Sequence, residues 1–163
     1  MTAVDLRVRR GPRPAATPDA PHRQLDQQPL DPEIVRRLGE RMFAVAPGAH
    51  EEPSGISVPG ARALVLDADT PTGPPEAFLV GREFAHVHPA PDHSLHMTLP
   101  LELARRAVQQ RWAEPHVAVV AGLLPPTFVM VYAPRDEREL HVVLALLAAS
   151  HRFATGGGPR DGG

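Results

Sequence analysis

Residues 86 to 96 read HVHPAPDHSLH and hold four of the chain's nine histidines, with Asp92 and Ser94 between them. Imidazole titrates near neutral pH and presents a lone-pair nitrogen, so such a cluster suits proton transfer or metal ligation. Side chains alternate along a strand, which puts His86 and His88 on one face, and Ser94, His96 and Thr98 on one face of the next strand. With a five-residue turn centred on Pro91, His86 falls opposite His96 and His88 opposite Ser94. Directly opposed residues have Cβ atoms about 5 Å apart, so three rings and a hydroxyl would converge. A slip of one residue would send His96 to the other face and dissolve the cluster.

Three chemistries fit that pattern. The first is a metal-free site in which one histidine is general base and its neighbours stabilise an anion. The second is one divalent ion (Zn, Fe or Mn) held by His86, His88 and His96, with a carboxylate from Glu83 or Asp92 at hand. The third is a polar turn with surface histidines. Glu83 lies three before His86 and faces the opposite side in a regular strand, although a carboxylate there is also placed to steady a histidine or an arginine.

The elements around the hairpin must position it. Asp31 and Pro32 open a helix as N-cap and first residue, with Ile34, Leu38 and Met42 on one face, and Pro47-Gly48 closes it. GISVPGARALVLD (55–67) reads as two short strands about Pro59-Gly60, EAFLVGREFAHVH (76–88) as a long strand, SLHMTLP (94–100) as its partner and TFVMVYAP (127–134) as a buried strand. Pro100 starts a helix with Leu101, Ala104, Val108 and Trp112 on one side. Asp136 and Glu139 stand at capping-box spacing before a helix whose stripe is Leu140, Val143, Leu144 and Leu147. Short connections favour antiparallel pairing. The expected class is α+β, a single domain of mainly antiparallel sheet with about three helices on one face, leaving the other face for chemistry.

The bulk numbers set limits. A chain of 163 residues is the length of one domain. A formal charge of −2 argues against nucleic acid or an anionic membrane as partner. Cysteine is absent, which excludes disulfides and thiolate chemistry. Every cation is arginine, a pattern of GC-rich coding that suggests a bacterial source. No signal peptide or membrane-length apolar run is visible, so the expected location is cytoplasmic. Residues 1–29, with five prolines, are expected to be mostly disordered, with PHRQLDQQP (21–29) able to lie against the domain, 30–153 to form the domain, and the glycine-rich 154–163 to be a flexible tail.

Three blocks in order, REFAHVHPAPDHSLHMTL, RWAEPH and VYAPRDERELHVV, resemble the luciferase domain of bioluminescent fungi and its non-luminous bacterial relatives. The residues that carry the likeness are Arg82, Glu83, Ala85, His86, His88, Asp92, Ser94, Leu95 and His96, then Trp112 and His116, then Tyr132 to Arg135 and Glu137. The likeness spans roughly residues 54 to 153. One departure is Arg111, where the family usually has glycine before the tryptophan. Another is VAVVAG after His116, which replaces a stretch like Pro-Leu-Ala-Gly.

The resemblance implies O2-dependent oxidation of a polyphenolic pyrone, 3-hydroxyhispidin in the fungi, through a peroxide and with release of CO2. No cofactor beyond O2 would be required. His86 or His88 would be the base with His96 as partner, and Arg135 or Arg82 would hold negative charge. Tyr132 and Trp112 would stack on a flat substrate, with Asp92, Ser94 and His116 completing its binding site; the alternative for Trp112, on the apolar side of its helix, is a place in the core, and for Tyr132 a half-buried one with its hydroxyl partnered. The partners expected are thus a small molecule and O2. Two alternatives stand beside this oxygenase-like reading: a hydrolase or lyase built on a metal at His86, His88 and His96, and a non-catalytic small-molecule-binding module.

Overall fold

A computed structural model describes residues 4–157 of the chain. Six strands form one open sheet: β1 (Ala49–Pro53), β2 (Arg62–Leu66), β3 (Glu83–Val87), β4 (Leu95–Thr98), β5 (Ala113–Pro115) and β6 (Phe128–Val131). Their order is β1-β2-β3-β4-β6-β5, and every pairing is antiparallel. Four helices accompany them: α1 (Pro32–Ala44), α2 (Leu101–Gln109), the single turn α3 (Val117–Val120) and α4 (Glu137–Ala154). The class is therefore α+β, as the patterning predicts.

The two long helices form where caps and stripes coincide. Asp31 accepts from the Glu33 amide and Asp136 from the Glu139 amide, each satisfying a helix-end donor and stabilising by about 1 kcal/mol. Ile34, Leu38 and Met42 of α1 and Leu140, Val143, Leu144 and Leu147 of α4 are buried. All but Ile34 join one core cluster with Leu64, Phe84, Ala85, Leu95, Met97, Val129 and Val131, the apolar side chains of the sheet's helix-bearing face.

Several elements differ from the sequence reading. The first strand is AHEEP (49–53), upstream of GISV, and its residues are exposed or partly so; an edge strand that buries nothing has no alternating signal. The long strand expected over 76–88 breaks into a 3-10 turn (Pro75–Ala77), a tight turn at Gly81, whose φ is +54°, and the short β3. Trp112 lies beyond α2, which stops at Gln109. Arg111 takes φ +66° and the amides of Arg111 and Trp112 reach back to the carbonyls of Val108 and Ala107. That is a Schellman C-cap, whose left-handed position favours glycine.

The amino-terminal segment is ordered where described, in contrast to the disorder expected of it. Leu6 joins the helix-side core and the Trp112 indole donates to the Arg7 carbonyl at 2.7 Å. Arg9 is fully buried, 5.4 Å over the Tyr132 ring, and Arg13 donates to the Ala113 carbonyl on the edge strand at 2.8 Å. Residues 16–24 then fold back on themselves through an Ala16–Gln24 bridge on the sheet's other face. The segment holds through polar contacts to backbone rather than through apolar periodicity, so composition alone could not show it. At the other end, Ala154 is the last residue of α4, and residues 158–163 lie outside the described region.

Candidate active site

The β3–β4 hairpin pairs His86 with His96, and the His88 amide donates to the Ser94 carbonyl at 2.9 Å. Ring centroids lie 5.0 Å apart for His86 and His96, 4.5 Å for His88 and His96, and 5.2 Å for His86 and His88. All three are buried, on the face away from the long helices.

Glu83 does not face the opposite side. The β2–β3 register shifts between Leu64 and Val65, so that Ala85 pairs with Leu64 but Glu83 with Val65. The extra residue is a β-bulge that turns Glu83 onto the face of His86. Its carboxylate accepts from His86 Nδ1 at 2.8 Å, from the Ser54 hydroxyl at 2.8 Å and from the Gly55 amide at 3.0 Å. Burial alone would raise the Glu83 carboxyl, but these three donors outweigh it and hold it below its usual range. His88 has its own carboxylate: Nδ1 lies 2.9 Å from Asp92 Oδ2 and 3.0 Å from the Ser94 hydroxyl.

These contacts set the tautomers. With Nδ1–H on the Glu83 carboxylate, His86 presents a bare Nε2, and His88 does the same with Nδ1–H on the Ser94 hydroxyl, which itself donates to Asp92. His86 Nε2 lies 3.1 Å from His96 Nδ1, so His96 donates there and its own Nε2 is bare, buried and without a partner among the described residues. Burial, and then the neighbouring rings, push His96 well below the usual histidine value, and burial outweighs Glu83 to lower His86. Both are neutral at pH 7.

Residues 16–24, a strap over this face, add a histidine that lies outside the three matching blocks. His22 is buried with Nε2 2.9 Å from Glu114 Oε2, while Glu114 Oε1 accepts from the Tyr132 hydroxyl at 2.9 Å. Its Nδ1 is a second buried nitrogen without a partner. The ring lies 5.6 Å from His96 and 5.3 Å from His116. His116 caps α3 by accepting from the Ala118 amide on Nδ1 at 3.0 Å, which makes Nε2 its donor. Burial, then the other rings, lowers its pKa to about 4. Nothing periodic marks His22; the only available signal was a histidine followed by polar residues in a proline-rich stretch. Glu114 stood in plain view inside RWAEPH.

A cavity of about 410 Å³ opens onto this cluster, with His22, His86, His88, His96 and His116 along one side and Ile56, Val58, Leu79, Leu124 and Phe128 among its apolar walls. Asp92 and Ser94 stand behind His88 and do not line it. Asp92 borders an adjoining cavity of about 430 Å³ beside Pro89 and Gln24.

Four expected residues lie elsewhere. Arg135 is held by Glu139 at 2.6 Å and donates to the Arg10 carbonyl, so it anchors the strap to α4. Arg82 spends its guanidinium on the carbonyls of Leu66, Asp67 and Thr70. Trp112 packs in the helix-side core, and Tyr132 is stacked under Arg9, with its hydroxyl positioning Glu114. Each was read from residue type in the matching blocks, yet each has its polar atoms committed to backbone or to a carboxylate outside the cavity.

Residues 81–150 match the family model described as the luciferase domain. Over 93% of its length the chain is 32% identical to a luciferase of Armillaria gallica and 29% identical to one of Armillaria ostoyae. It is also 27% identical to a luciferase of Neonothopanus nambi. The chain spans 62% of the length of each of these relatives. No solved structure matches it significantly. Among the described residues no helix is long and apolar enough to cross a membrane.

Proposed function

The chain belongs to the luciferase-domain family, and from that premise we propose that it is an oxygenase-like enzyme that oxidises an enolisable or phenolic small molecule with O2. The observation that carries this reading is the set of carboxylate-backed imidazoles on one side of an otherwise apolar cavity. A flat, apolar substrate fills the space between Phe128, Leu79 and Val58, and its hydroxyl meets a bare ring nitrogen. Of the carboxylate-backed rings, His88, beside Asp92, and His22, beside Glu114, are the two whose remaining nitrogen has no partner among the described residues.

One of these rings takes the hydroxyl proton, and its carboxylate stabilises the imidazolium that results. The enolate carbon then transfers electrons to O2 and forms a C–O bond, giving a peroxide anion that recovers the proton from the imidazolium. Arg135 and Arg82 are too committed to hold the negative charge, so that task falls to His116, whose Nε2–H is a donor at the cavity's edge. No flavin or nucleotide enters this scheme.

The test is O2 uptake by the purified chain with a panel of hydroxylated pyrones and catechols, with light emission recorded in parallel. Uptake that vanishes in His88→Ala or His22→Ala supports the reading. Tight binding of the same compounds without O2 uptake would make the chain a binding module instead.

A further inference from the structure

We propose that His86, His88 and His96 form a binding site for one divalent first-row transition ion of the zinc, iron, manganese or cobalt class. A ligating histidine needs a bare nitrogen toward the metal and, on its other nitrogen, an acceptor that fixes the tautomer; carboxylates in that role recur at metal centres. Two of the three rings meet both conditions. His86 has Nδ1 on Glu83, itself fixed by Ser54 and Gly55, and His88 has Nδ1 beside Asp92. One candidate ligand nitrogen from each of the three rings lies within 4.8 Å of the others. His86 Nε2 and His96 Nδ1 are 3.1 Å apart, about the separation of two nitrogens each ~2.1 Å from a shared ion. An ion seated between them displaces the proton they share, and His96 then carries its hydrogen on Nε2, which is buried at the cavity's edge.

A second triad, His22, His96 and His116, is equally compact. It is the poorer site, because His116 accepts the Ala118 amide on Nδ1 and must carry its proton on Nε2. An all-nitrogen donor set disfavours calcium and magnesium, which take oxygen ligands. Three protein ligands beside a cavity leave coordination positions open, the arrangement of catalytic rather than structural ions.

The inference deepens the proposed function and rests on it only for what the ion would do. It would polarise a substrate oxygen, and with His88 committed to the ion, His22 Nδ1 is the proton acceptor that remains. Binding itself stands apart from turnover and departs from the cofactor-free expectation.

The test uses the full chain purified without a histidine tag, stripped with chelator and titrated with cobalt(II), read by visible absorption and by competition with zinc. We expect one ion per chain. His88→Ala and His96→Ala should abolish the cobalt spectrum, and His22→Ala and His116→Ala should leave it. Glu83→Gln and Asp92→Asn should weaken affinity about 10- to 100-fold. Should His96→Ala fail to fold, which its melt would show, those two carboxylate variants decide the matter, since both keep all three rings. Three outcomes overturn the proposal: no cobalt spectrum in the unsubstituted chain, a spectrum lost with His22 or His116 but not with His88, or affinity indifferent to Glu83 and Asp92. A negative result here leaves O2 uptake untouched, and absent O2 uptake leaves the ion titration valid.

Discussion

Glu83→Gln is the most informative single change, because it replaces one oxygen with a donor and alters almost nothing in shape. Oε1 accepts from both His86 and Ser54, and Oε2 accepts from the Gly55 amide. Glutamine can keep its oxygen toward His86 and Ser54 only by aiming its NH2 at the Gly55 N–H. Two donors then face each other at a residue that is 3% exposed. Losing a bond to a charged acceptor and leaving buried donors unpaired costs about 2–3 kcal/mol. For a chain of this size each kcal/mol shifts the melting temperature by about 2–4 °C, so the melt should fall by about 4–12 °C. Weaker tethering of His86 should also lower turnover about 10- to 100-fold at a temperature where the variant stays folded. Circular dichroism melts, O2 uptake and the 15N shifts of the imidazole nitrogens read the three consequences separately. If the melt moves by less than about 1 °C and the His86 tautomer is unchanged, the bulge does not deliver the carboxylate and the reasoning fails.

The remaining predictions separate site from scaffold. His22→Ala should cut turnover about 100-fold while moving the melt by only a few degrees, because Glu114 keeps the Tyr132 hydroxyl; unchanged kinetics would remove the strap from the chemistry. Arg135→Ala strands the buried Glu139 carboxylate and should destabilise the fold by about 3 kcal/mol, with turnover below the melt within twofold of normal. Loss of turnover with an unchanged melt would instead return Arg135 to the site. Arg111→Gly relieves a left-handed non-glycine residue and should stabilise by about 1 kcal/mol, checked by urea unfolding; a loss of stability would show that the Arg111 side chain matters more than its backbone.

What the sequence disclosed follows from which signals are local. The His86–His96 register needed only strand alternation and a turn of known length, and α1 and α4 announce themselves by cap and stripe. The bulge at Glu83 is set by pairing with Leu64 and Val65, some twenty residues away, and no period within β3 encodes it. His22 was invisible for a related reason. Its place depends on Glu114 and on the Gln24 side chain, which accepts from the Ala133 amide at 2.8 Å, so nothing within residues 16–29 reveals where that stretch lies. Arginine was the most misleading residue type. Its polar ends were read as free to meet a substrate, whereas Arg82 and Arg135 secure backbone carbonyls and a buried glutamate.

The sheet's register explains why the chemistry concentrates on one face. A single cross-strand row runs Ala63, His86, His96, Met130, Glu114, from β2 through β3, β4 and β6 to β5. Directly paired residues share a face, so this row places the two central imidazoles and the Glu114 carboxylate on the side away from the helices without help from any loop. The row alone is an open polar surface in which Glu114 has no histidine to hold. The strap closes it: His22 takes the Glu114 carboxylate, and the Gln24 amide reaches Asp92 at 3.3 Å. Residues 81–150, the span shared with the family model, therefore contain the row from His86 to Glu114 but neither Ser54, which steadies Glu83, nor His22. A fragment limited to that span would keep the hairpin histidines while losing two of the groups that fix their environment, so the histidine site extends beyond the matching block.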